Sequence, residues 1–111
     1  MPADAPEGLL VFSGFPDAAS AQRVAGQLVE SRLAACVSVL APCVSTYRWQ
    51  GAIEQATEVP VMIKTTAQRY AELEAALRAQ HPYELPEIVA VPLARGLPSY
   101  LAWLSAETTG N

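Results

Sequence analysis

Charged side chains are scarce in this chain: they make up 16% of 111 residues, with seven basic against eleven acidic groups and a net charge of −4. The basic residues are scattered, whereas neutralising phosphates needs a clustered positive face, so nucleic acid is not an expected partner. Apolar residues reach 51%, which excludes a solvated, disordered chain. Long apolar runs are also missing. Stretches such as Leu33–Val37 and Val59–Ile63 fall far short of the ~20 residues needed to cross a bilayer, so no membrane partner is expected. Met1–Gly8 has neither a positive n-region nor an apolar h-region, which makes cytoplasm the expected compartment. Cysteine is limited to Cys36 and Cys43. In one extended strand their α-carbons would stand about 23 Å apart at ~3.3 Å per residue, too far for a disulfide. Their odd spacing sends them to opposite faces unless a bulge intervenes, and no CxxC pair suggests zinc. Two buried free thiols in a reducing compartment are expected. There is one histidine, no Gly-x-Ser-x-Gly elbow and no glycine-rich phosphate loop, so no enzymatic activity is expected.

What is present is a regular alternation of elements. Leu9–Phe12 is an apolar run ending at Ser13-Gly14, the pattern of a buried strand. Asp17 can cap a helix in which Ala21, Val24, Ala25 and Leu28 form one apolar face, reaching Ser31 or Arg32. Leu33–Trp49 is β-rich and broken by Pro42, where a bulge or bend is expected because proline cannot donate to a ladder. Gln50-Gly51 supplies a turn, and a second long strand returns from Ile53 to about Thr65, with Val59, Val61 and Ile63 on one face and Glu58, Met62 and Lys64 on the other. Two strands of this length make an arm extending beyond a small domain, and an arm bearing Tyr47 and Trp49 needs a partner. Thr66 is a candidate cap for a second helix with Tyr70, Leu73 and Leu77 inward. Ile88–Leu93 is a nearly continuous apolar strand, expected to be central or covered on both faces. Pro98 suits the first turn of a short terminal helix with Tyr100, Trp103 and Leu104 on its apolar side.

This order predicts an α+β, ferredoxin-like (βαββαβ) fold: an antiparallel sheet with helices on one face, an extended β-hairpin arm and a short C-terminal helix. Residues 1–111 form a single domain, with 1–8 and 107–111 expected as flexible tails. The open sheet face must be covered, and self-association is the simplest cover.

The richest local chemistry lies in His81-Pro82-Tyr83-Glu84-Leu85-Pro86-Glu87. Pro82 and Pro86 stiffen the turn, because each fixes its own φ and pushes the preceding residue toward extended geometry. The turn presents an imidazole, a phenol and two carboxylates. It is either a binding site or an anchored corner in which the ring bonds Glu84 or a backbone carbonyl.

Several strings, taken together, resemble the divalent-cation tolerance (CutA) family. They are Leu33-Ala34-Ala35-Cys36-Val37, Tyr47-Arg48-Trp49-Gln50-Gly51, Glu58 followed by Met62-Ile63-Lys64-Thr65-Thr66, the His81–Glu87 turn, and Tyr100-Leu101-Ala102-Trp103-Leu104. The similarity runs in register from about Leu9 to Ser105. It implies a cytoplasmic homotrimer whose long hairpin strands pair between subunits, and a link to divalent metal tolerance and copper. The family's copper-ligand positions correspond to Ser13, Gln80 and His81. A hydroxyl and an amide are poor ligands for soft or borderline metals, so a weaker site is implied, or one completed by a neighbouring subunit.

The candidate metal ligands are therefore His81, with Cys43 and Glu84 as weaker contributors. Cys36 reads as packed core. Tyr47, Trp49, Glu58, Lys64 and Tyr83 are candidates for inter-subunit assembly or for a cleft between subunits, with Lys64 supplying charge. No cofactor is required, and Cu²⁺ or another divalent cation is the candidate ligand. The runner-up function is a trimeric signalling or scaffolding module resembling the PII regulators, which bind small ligands in inter-subunit clefts.

Overall fold

The computed structural model of the chain describes residues 7–109. Eight elements follow one another: β1 (Gly8–Phe15), α1 (Ala18–Glu30), β2 (Cys36–Val39), β3 (Cys43–Trp49), β4 (Ala52–Thr66), α2 (Tyr70–Gln80), β5 (Val89–Pro92) and α3 (Pro98–Glu107). The sheet runs β2-β4-β1-β5 with every pairing antiparallel, and β3 continues on β4 beyond β2. This is the expected ferredoxin-like order, in which the first and third strands of the pattern lie at the centre. The tails expected at 1–8 and 107–111 lie mostly outside the described residues; within them, Gly8 already begins β1 and Glu107 ends α3.

Alternation along β4 decides where the core sits. Val59, Val61, Ile63 and Thr65 are buried, while Glu58, Pro60, Met62 and Lys64 between them are only partly covered. The buried row joins Val11 and Phe15 of β1, Val24 and Leu28 of α1, and Leu73 and Leu77 of α2 in one cluster. Each such aliphatic or aromatic side chain contributes about 1.5–3 kcal/mol on burial. Asp17 caps α1 as expected, accepting from the Ser20 amide at 2.7 Å. Thr66 does not cap α2. It closes β4, its side chain meets Thr108 Oγ1 at 3.5 Å, and the helix starts four residues later after a turn in which the Arg69 amide bonds the Thr66 carbonyl.

The bend at Pro42 is a one-residue bulge. Val39 pairs with Val61 but Cys43 pairs with Glu58, so four steps on one strand match three on the other. The inserted residue reverses the alternation, and Cys36 (opposite Lys64) and Cys43 (opposite Glu58) therefore share a face of β4. Both thiols are free; Cys36 is half-buried rather than packed in the core, and Cys43 is exposed. At the tip, Gln50 (φ 49°) and Gly51 (φ 84°) occupy the left-handed region, the geometry of a type I′ hairpin turn.

The final strand departs from expectation. β5 is an edge strand paired only with β1, and Val89 and Val91 are 50% and 45% exposed. Pro92 agrees with that placement, because a residue without an amide proton is tolerated at an edge. The apolar run marked surface to be covered, but among the described residues Val89 and Val91 stay about half exposed.

Candidate functional site

Two bonds fix the His81 ring. Its Nε2 lies 2.8 Å from the Gly14 carbonyl, and its Nδ1 lies 3.2 Å from the Tyr83 amide nitrogen. A carbonyl only accepts and an amide only donates, so Nε2 carries the proton and Nδ1 the lone pair. Ser13 Oγ stands 3.3 Å from Nε2 as a second, longer contact. The ring stacks on Phe15 at 4.4 Å and tilts against Tyr83 at 4.9 Å. Burial pushes the imidazole below its ordinary value of 6.5, against opposing effects of the Gly14 carbonyl and the Glu58 carboxylate. His81 is thus a neutral clasp between the end of β1 and the turn after α2.

A cleft of about 580 Å³ opens beside this clasp. The arm supplies Tyr47, Arg48, Trp49, Glu54, Ala56 and Glu58; the turn supplies Pro82, Tyr83, Glu84, Leu85 and Glu87. Hairpin register places Tyr47 opposite Glu54. Glu58 rests against Gly14, where an added Cβ would lie 3.2 Å from its Oε2, so glycine lets the carboxylate close on β1. Burial foremost, then the Glu58 carboxylate, push the Tyr83 phenol up to about 12. Burial followed by Glu54 raises Tyr47 as well. Both phenols are therefore protonated donors at neutral pH, facing carboxylates.

The remaining candidates are dispersed. Lys64 does not line the cleft: its Nζ donates to the Tyr100 hydroxyl at 3.3 Å and lies 5.4 Å from that ring's centroid. Cys43 stands near Ser45 Oγ at 4.0 Å on the exposed arm. Glu84 lines the cleft and is exposed. Among the described residues, no three His, Cys, Asp or Glu side chains converge on a point that could hold a metal ion. Ser13 and His81, two of the positions at which the resemblance implied metal ligands, do meet. The donors suit copper poorly, however, because both ring nitrogens are engaged and the hydroxyl is a weak ligand.

Glu54 and Arg48 are cleft residues that the sequence reasoning passed over. A signal for Glu54 was available: a two-residue turn at Gln50-Gly51 fixes the hairpin register and pairs position 47 with 54. Phe15 and Gly14 had no such signal, since they reach His81 only through the tertiary fold.

Residues 9–107 match the family model described as CutA1 divalent ion tolerance protein. The divalent-cation tolerance protein CutA of Pectobacterium atrosepticum is 41% identical over 100 residues, covering 90% of this chain and 91% of that one. The crystal structure of CutA from Xylella fastidiosa superposes with a TM-score of 0.89 at 47% identity, over 92% of this chain and 98% of that one. CutA of Archaeoglobus fulgidus, described as a periplasmic divalent cation tolerance protein, gives 0.88 at 35% identity over 92% of this chain and 99% of that one. Fold, length and sequence agree: the chain belongs to the CutA family of divalent-cation tolerance proteins.

Proposed function

We propose that the chain is the subunit of a cytoplasmic homotrimer that takes part in tolerance of divalent metal ions and is not an enzyme. The bare apolar surface of the single subunit is the observation that carries the assembly. Val89 and Val91 on β5, and Val44 and Ile53 on the arm at 67% and 68% exposure, are left largely uncovered by the described residues. Surface of this kind marks an association site. The family resemblance supplies the number three, and the two free thiols support a reducing compartment.

Within this function we assign the metal contact to His81, with Cys43 and Glu84 as weaker donors. Binding there is weak in one chain, because a metal taking Nδ1 displaces the Tyr83 amide. Mass in solution tests the assembly, and a stable monomer at micromolar concentration overturns it. Calorimetric titration of metal-free protein with Cu²⁺, alongside His81→Ala, tests the metal contact. Saturable binding that the substitution abolishes supports it; equal binding by both proteins returns His81 to a purely architectural role.

The cleft favours a second function, a PII-like signalling or scaffolding module that binds a small ligand between subunits. Saturable binding of a small ligand that is lost when the subunits are dissociated would favour this second function over the first. Four carboxylates against Arg48 in the lining make an anionic nucleotide a poor occupant.

A further inference from the structure

We draw no further inference here: the strongest candidate, the half-buried Cys36 thiol set opposite Lys64 and its partner Tyr100 on the open face of the sheet, is a single cysteine with no second observation that points to a ligand, and it lies on the face that self-association would cover.

Discussion

His81 is held in one protonation state by its neighbours, and that makes it a source of pH-dependent stability. In the fold, burial lowers the ring's affinity for a proton below the ordinary 6.5, whereas the unfolded chain takes up that proton near its ordinary value. Stability from the neutral ring is therefore complete above about 6.5 and is lost as pH falls below it toward the lowered folded value. We expect the urea midpoint to drop between pH 7 and pH 5, and His81→Ala to flatten that part of the profile. His81→Ala should also cost about 1–3 kcal/mol at neutral pH, because the Gly14 carbonyl and Tyr83 amide lose their partner. An identical pH slope in both proteins would show that the ring does not titrate with folding. The sequence marked this turn by its two prolines and its lone imidazole, and it raised a backbone carbonyl as one partner. It could not say which carbonyl, since Gly14 lies 67 residues away and no local pattern encodes a contact of that range.

At the scale of elements, the arm depends on its tip. Gln50 adopts φ 49° without being Asn or Gly, and Gly51 sits at φ 84°. Gln50→Asn should stabilise by a few tenths of a kcal/mol, because asparagine tolerates the left-handed region better. Gly51→Ala should destabilise by about 1 kcal/mol or more, since a Cβ is strained there although no atom obstructs it. Thermal midpoints of the two variants moving in the same direction would count against the turn assignment. The hairpin itself was legible, because Gln50-Gly51 between alternating strands is a local signal. The faces of the two cysteines were legible only conditionally: spacing alone put them on opposite sides, and the bulge at Pro42 brought them to one. The place of β5 was misread for a different reason. A continuous apolar strand says how much of its surface is meant to be covered, and not whether the cover belongs to the same chain.

For the whole molecule, the long axis is 49 Å against 25 and 23 Å across, and the arm gives it that shape. Tyr47 and Trp49, expected to be the arm's association surface, line the cleft on one side, while Val44 and Ile53 stand bare on the other. Ile53→Lys should therefore weaken assembly about tenfold or more, since burying such a side chain contributes about 1.5–3 kcal/mol. The subunit's circular dichroism should stay unchanged. Sedimentation across a dilution series reads both, and an unaltered association constant would place the contact elsewhere. The arm also bears on the order in which the chain folds. β3 and β4 are joined by a two-residue turn, so their pairing can close in about 1–10 μs, well before β1 finds β4 across much of the sequence. Because β4 is one continuous strand from Ala52 to Thr66, a hairpin that closes at the tip holds it extended, with Val59, Val61 and Ile63 already on one face, before the core condenses. The tip turn thus serves the core at a distance, by presenting β4 as a ready-made edge on which β1 and β2 can pair.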